Sequence, residues 1–344
     1  MTLADSPESP HGIACGWLWN PGTTPFAVAG PGWLWHGGHV RILFISANRI
    51  GDAVITCGIL DSLIREHPGC RITIACGPAA AGVYARMPNL ERTIIFQKHK
   101  NDSHWPKLWR QVAFTLWDLV VDIRGSALAY LIPARRRVVR RPRPGRMFEQ
   151  HAAMLGISPP PLPRVWTAPE DRAKAAALLP AGRPVIGFGA TANWAPKVWP
   201  ADRFAALFHR LADRELPHAV AAVFAGTGEA ERLMAAPLLE LLPGAVDLRG
   251  TLTIPEAAAC IQRCALYVGN DSGLMHLAAA SGAPTIGLCG TTIDRADEMA
   301  PAGLHAAWAR SDLPSMDALS VDDVYGACLR MLHSVRASEL QPTR

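Results

Sequence analysis

The chain has 344 residues, 49% of them hydrophobic and 18% charged, with 29 glycines and 29 prolines. That length suits two domains, each with its own core, and a formal charge of only +5 at this apolar content excludes a disordered chain. The longest apolar runs, such as Ala219–Ala225, fall well short of the ~20 residues a bilayer span needs.

Residues 1–38 differ from the rest. Gly16-Trp17-Leu18-Trp19 recurs as Gly32-Trp33-Leu34-Trp35 among Pro and Gly, and no helix or strand of useful length fits. The segment reads as an extension, either poorly ordered or an arm whose tryptophans dock on the domain or rest at a membrane interface. Met1–Pro10 carries acids and prolines where a secretory signal would have a basic start and an apolar run. No such signal is expected.

From Val40 the punctuation becomes regular. The apolar run His39–Ser46 predicts a buried strand, then the turn Asn48–Gly51 and an amphipathic helix from about Asp52 to Glu66. Strand Arg71–Cys76, helix Ala79–Arg86, strand Thr93–Phe96, helix Pro106–Thr115, strand Asp118–Ile123 and helix Gly125–Ile132 follow. Strands alternating with helices mean parallel βαβ units. Seven arginines and no acid then occur between Arg135 and Arg146 (135, 136, 137, 140, 141, 143, 146). Such a stripe is either a solvated loop or a surface for phosphates and anionic headgroups.

Prolines 159, 160, 161 and 163 mark a stiff break, after which the alternation restarts. Strands are expected at Pro184–Phe188, Ala219–Phe224, Val246–Asp247, Leu266–Val268 and Thr285–Leu288. Helices are expected at Ala201–Arg214, Glu229–Leu242, Ile254–Arg263, Gly273–Ser281 and Ser320–Val335. The reading is an α/β chain of two doubly wound domains, residues 39–163 and 164–319, with a C-terminal helix and tail over 320–344. A central cleft between them would receive the C-terminal ends of both sheets, where such sheets bind ligands. The eight cysteines form no CxxC pair and no zinc pattern, a usage that fits a reducing cytoplasm.

Four turns could carry chemistry. No GxGxxG follows the first strand and no GxxxxGK[ST] loop exists. Arg49-Ile50-Gly51-Asp52 instead offers a tight turn and a carboxylate, which could cap the helix or act as a general base. Gly187–Pro200 offers small residues, the donors Thr191 and Asn193, and Lys197, a point charge suited to a departing diphosphate. Gly226-Thr227-Gly228-Glu229 could hold a ribose diol through Glu229, or merely start a helix. Asn270–Ala280 places Asp271 and Ser272 at a helix N-terminus, an anion site by geometry and dipole. His276 in its first turn or so could reach the same anion or be structural.

Together, Arg49–Asp52, Lys197-Val198-Trp199-Pro200 and Asn270-Asp271-Ser272-Gly273-Leu274-Met275-His276-Leu277-Ala278-Ala279-Ala280 resemble glycosyltransferase family 9, the ADP-heptose:lipopolysaccharide heptosyltransferases. The resemblance spans roughly residues 40–335. It implies a GT-B fold with two Rossmann-like domains, the acceptor on the first and the nucleotide sugar on the second. It also implies inverting, metal-independent transfer with no cofactor, in the cytoplasm at the inner membrane, from ADP-heptose to a lipid A–Kdo type acceptor. On that resemblance Asp52 is the base and Lys197 neutralises the donor phosphates. Asp271 would bind heptose hydroxyls, with Ser272, Gly273 and His276 around the diphosphate and Glu229 on the ribose. Acceptor contacts are expected from Arg49, Arg124, Arg135, Arg136, Arg137, Arg140 and Arg141, with peripheral contact to an anionic membrane and no nucleic-acid partner. The chain departs from the pattern at Ala192–Ala195 before the lysine and at Leu288-Cys289-Gly290. Those changes keep open a different nucleotide sugar or acceptor glycan, and, further off, a non-catalytic sugar-nucleotide-binding protein.

Overall fold

The structure is a computed structural model and describes residues 39–97, 104–290, 296–311, 313 and 315–339. The extension 1–38, with its paired tryptophan motifs, lies outside the described residues.

The first half opens with β1 (Arg41–Ile45), α1 (Ile50–Ile55) and α2 (Cys57–Glu66). β2 (Arg71–Cys76), α3 (Pro78–Ala81), β3 (Leu90–Ile95) and α4 (His104–Val112) follow. It ends with β4 (Trp117–Asp122), β5 (Ala134–Val139) and α5 (Met147–Leu155). The second half runs α6 (Pro169–Leu178), β6 (Val185–Gly189), α7 (Ala201–Arg214), β7 (Val220–Ala225) and α8 (Glu229–Leu241). It continues with β8 (Val246–Arg249), α9 (Ile254–Ile261), β9 (Leu266–Asn270), α10 (Gly273–Ala280) and β10 (Thr285–Cys289). β11 (Ala306–Arg310) and α11 (Val321–Glu339) complete it. No described helix is long and apolar enough to cross a membrane.

Both sheets are parallel, ordered β3-β2-β1-β4-β5 and β11-β10-β9-β6-β7-β8. Their strands are continuous apolar runs because helices cover both faces. Thus Ile42 and Phe44 of β1 enter one cluster and Leu43 and Ile45 the other. Strand order reverses between β1 and β4 and between β6 and β9. The crevices outside the C-terminal ends of these pairs are the topological switch points where open α/β sheets bind ligands.

Several local expectations change. The expected helix Gly125–Ile132 is only a single 3-10 turn, Ala127–Tyr130. Gly125 sits at φ +69°, and the buried Asp122 carboxylate gathers the amides of Arg124, Gly125 and Ser126 at 2.8–3.1 Å. That arrangement winds a turn and not a helix. The helix expected from Asp52 begins at Ile50 and breaks at Thr56, whose hydroxyl donates to the Ala53 carbonyl at 2.7 Å. Helix Ala79–Arg86 divides into α3 and a 3-10 turn, Gly82–Tyr84. The arginine stripe is not one continuous loop, because its first part, Arg135, Arg136 and Arg137, lies within edge strand β5. Its charges blunt an otherwise sticky edge. β11, α5 and α6 were not foreseen.

The halves are not separated by an open gap. One apolar cluster includes Ile42, Phe44 and Ile72 from the first sheet with Phe224, Tyr267 and Leu277 from the second. Arg86 also forks onto the buried Asp171 of α6, both bonds at 3.0 Å. α11 packs on α7, β10 and β11.

Candidate active site

At the end of β1 the chain turns through Asn48 and the extended Arg49 into α1. Arg49 occupies the cap position and no side chain caps the helix, so the capping role open to Asp52 is not the one it takes. Asp52, half-buried in the first turn, accepts no hydrogen bond from the described residues. Burial raises its carboxyl above the ordinary carboxylate range, Arg49 and Arg140 pull it back down, and the charge of Asp271 pushes it up again. Asp52 therefore faces two guanidiniums from its own half and one carboxylate from the other.

In the second half, Lys197 ends a 3-10 turn (Ala195–Lys197) two residues before a fully buried tryptophan. Trp199 donates its indole N–H to the Leu319 carbonyl at 2.8 Å and its backbone N–H to Asn270 Oδ1 at 3.0 Å. Its ring meets Phe204 edge-on at 4.9 Å. This anchor gives Lys197 its direction: the ammonium lies 2.5 Å from Asp271 Oδ2. Asp271 is itself held at the sheet end by its N–H to the Leu288 carbonyl, 3.2 Å.

Ser272, extended at φ −149°, is the cap residue of α10, yet its hydroxyl makes no capping bond. That oxygen is buried and has no partner among the described residues, and the same holds for Asn270 Nδ2. The first-turn amides of α10 thus lack a side-chain acceptor beside Lys197, where an anion is stabilised by amides, dipole and cation together.

α1 and α10 pack against each other through Gly51 and Gly273. A Cβ on Gly51 would stand 2.7 Å from His276 Cδ2, and one on Gly273 would stand 2.9 Å from Ile50 Cβ. His276 is buried beneath this contact, and desolvation lowers it to about 4, with Asp271 opposing and Lys197 assisting. At neutral pH it is an uncharged imidazole packed across the seam.

The remaining expected donor residues are dispersed. Thr191 is buried and Asn193 exposed. Glu229 is exposed and loosely paired with Arg232 at 3.7 Å. The carboxylate that shapes this turn is Glu231, which accepts the Gly226 N–H at 2.7 Å. The sequence reading did not single out Glu231, for which the second acid after Gly226 is the available signal, and it quoted Asn270 without the bond to Trp199 that the structure gives it.

The arginines divide by task. Arg124 donates to Asn48 Oδ1 at 2.9 Å and lies 5.0 Å from the Phe96 ring and 5.5 Å from that of Trp105. That places it at the switch point of the first sheet. Arg140 is half-buried, near Asp52, with an unpartnered Nε. Arg49, Arg136 and Arg141 are exposed, and Arg135 pairs with Asp118 at 3.4 Å. Arg137 is otherwise engaged: it donates to the carbonyls of Ala129, Ala134 and Ile132 at 2.7–3.0 Å, which clamps the turn after β4. Arg146 crosses to the Pro301 carbonyl at 2.8 Å. The stripe read in the sequence is therefore not one surface. Among the described residues no three His, Cys, Asp or Glu side chains are grouped to hold a metal.

Residues 124–325 match the sequence profile of glycosyltransferase family 9 (heptosyltransferase), more than half of the chain. Lipooligosaccharide heptosyltransferase 2 of Haemophilus influenzae is 26% identical over 295 residues, 74% of this chain and 84% of the relative. Among solved structures, a family 9 glycosyltransferase of Veillonella parvula superposes with TM-score 0.73 at 20% identity. It covers 86% of this chain and 97% of its own. ADP-heptose LPS heptosyltransferase II of Escherichia coli gives 0.70 at 21%, covering 86% and 100%. These likenesses establish the GT-B fold of two Rossmann-like units.

Proposed function

Since the chain belongs to glycosyltransferase family 9 (heptosyltransferase), an enzyme family of lipopolysaccharide biosynthesis, we propose that it moves a heptose from ADP-heptose to a lipid A–Kdo type acceptor. Transfer inverts the anomeric centre, needs no metal ion, and takes place in the cytoplasm at the inner membrane. The observation that carries the reading is the opposition across the seam of Asp52, unencumbered by hydrogen bonds from the described residues, to the Lys197–Asp271 pair at the tip of α10.

In this reading the acceptor hydroxyl gives its proton to Asp52 as its oxygen attacks C1 of the heptose. The bond from C1 to the diphosphate breaks, and its electron pair leaves with ADP. Attack from the face opposite the leaving group inverts C1. Lys197 and the amides at Ser272 and Gly273 receive the growing phosphate charge, and each such preorganised donor is worth ~3–4 kcal/mol. Asp271 aims Lys197 and takes heptose hydroxyls with its second oxygen. Thr191 and Asn193 flank the phosphates, Glu229 meets the ribose at the open edge, and His276 shapes the floor. Arg49, Arg124 and Arg140 receive the anionic acceptor.

Incubation with ADP-heptose and a Kdo-bearing acceptor in the presence of EDTA, with mass and anomeric configuration read on the product, tests all of this. A retained configuration, or activity restored only by a divalent ion, overturns the mechanism. A second reading, a different nucleotide sugar, is favoured by the loop Ala190–Pro196, whose composition departs from the heptosyltransferase resemblance. Transfer solely from a UDP- or GDP-sugar would establish it.

A further inference from the structure

We propose that the surface formed by α4 and the turn after β4 docks the enzyme on an anionic lipid bilayer. This specifies where the membrane contact of the proposed function is made, and it rests on that reading for the nature of the acceptor.

Large apolar side chains are exposed here side by side. Phe114 is 87% exposed, Leu131 65% and Tyr130 63%. Trp109 joins them: its ring lies 6.1 Å from that of Phe114, and its indole N–H donates to the Leu131 carbonyl at 2.9 Å. The helix presents these groups because His104, Leu108 and Val112 bury the opposite stripe, leaving Lys107, Trp109 and Arg110 outward. Apolar patches of this kind on a soluble fold mark interaction sites.

Charge selects the occupant. α4 turns Lys107 and Arg110 outward beside Trp109 and carries no acid between His104 and Val112. Asp122 is buried, and Asp118 accepts the Arg41 amide N–H and pairs with Arg135, so that ion pair adds no net charge to the surface. Arg137 is fastened to the carbonyls on both sides of Tyr130 and Leu131. Aromatic and aliphatic side chains flanked by the outward Lys107 and Arg110 fit the headgroup–acyl boundary of an anionic leaflet. A second copy of the chain would instead bring like charges face to face. The patch is also continuous with the acceptor side: Trp105, one helical turn before Trp109, lies beside Arg124 at the sheet end. An acceptor rooted in the bilayer is then presented to Arg124 without leaving it.

The test is co-sedimentation of the full chain with phosphatidylglycerol-containing vesicles and with phosphatidylcholine vesicles. Binding only to the former, weakened by salt, is expected. Phe114→Asp/Leu131→Asp should abolish it, and Lys107→Glu/Arg110→Glu should weaken it by at least about fivefold per cation removed. Both double variants should keep wild-type melting temperature and wild-type turnover on a delipidated, water-soluble acceptor. Wild-type failure to bind anionic vesicles, undiminished binding by the Phe114→Asp/Leu131→Asp variant, or a wild-type dimer that this variant dissociates would overturn the proposal. Absence of heptose transfer in wild type on the soluble acceptor would instead overturn the functional reading and leave vesicle binding standing.

Discussion

Gly51 and His276 come from opposite halves of the molecule, and the glycine leaves room for the imidazole and nothing more. A methyl group added at Gly51 would lie 2.7 Å from the ring. The base candidate is the next residue, so the fit of these two partners sets where Asp52 stands relative to α10.

Gly51→Ala should therefore destabilise the protein by about 1–3 kcal/mol through overpacking. It should also lower kcat by displacing Asp52. Thermal melts and steady-state kinetics check both; a variant with wild-type Tm and kcat would mean the seam yields freely.

Asp52→Ala should leave ADP-sugar binding near wild type and lower kcat by roughly 10²–10⁴, the usual worth of a positioned base. Because burial raises the Asp52 carboxyl, the acid limb of kcat should fall above the ordinary carboxylate range, with activity rising as pH increases and the carboxylate ionises. Calorimetry against ADP-sugar and a pH–rate profile measure the two effects.

Lys197→Ala and Asp271→Ala should each cost about 10²–10³ in kcat. The double variant should lose much less than the product of the two, because each removes the same 2.5 Å pair. A double-mutant cycle on kcat/KM reads this, and strict additivity would show that the pair does not act as a unit.

Two buried imidazoles contribute to the acid stability. His276 and His151 are both lowered to about 4, chiefly by desolvation, while the unfolded chain protonates them near ~6.5. Between those values the unfolded state binds more protons, so stability is greatest above about pH 6.5 and falls as pH drops toward 4. Each group contributes a slope of up to ~1.4 kcal/mol per pH unit there. His151→Gln or His276→Gln should flatten the Tm–pH curve over that window; an unchanged curve would remove that imidazole from the account.

Much of this was legible because it is local. Buried strands such as Ile42–Ile45 announce themselves as apolar runs, and Asp271–Ala280 carries its own cap, glycine and packing pattern. Lys197 was marked by its place before Trp-Pro, and Trp199 proves to be the reason that place is fixed. β5 was hidden because its edge position lets arginines replace the apolar alternation. α6 was hidden because it buries only Asp171 and Ala175. The division of the arginines could not be read at all: Arg137 and Arg140 differ by which carbonyls or carboxylates the tertiary fold brings to them. The apposition of Gly51 to His276 is likewise a product of packing between halves, and no spacing in the chain encodes it.

The packing of α1 on α10, and of Gly82 on Ile254, limits how this glycosyltransferase can breathe. Swinging the halves apart like a clamshell would part α1 from α10 and wet Ile50, Ile254 and their neighbours at about 25 cal/mol for every Å² exposed. With the halves held closed, substrate is expected to enter at the rim, by the turns at Ala190–Pro196 and Gly226–Gly228. Small-angle scattering should accordingly give the same radius of gyration with and without saturating ADP.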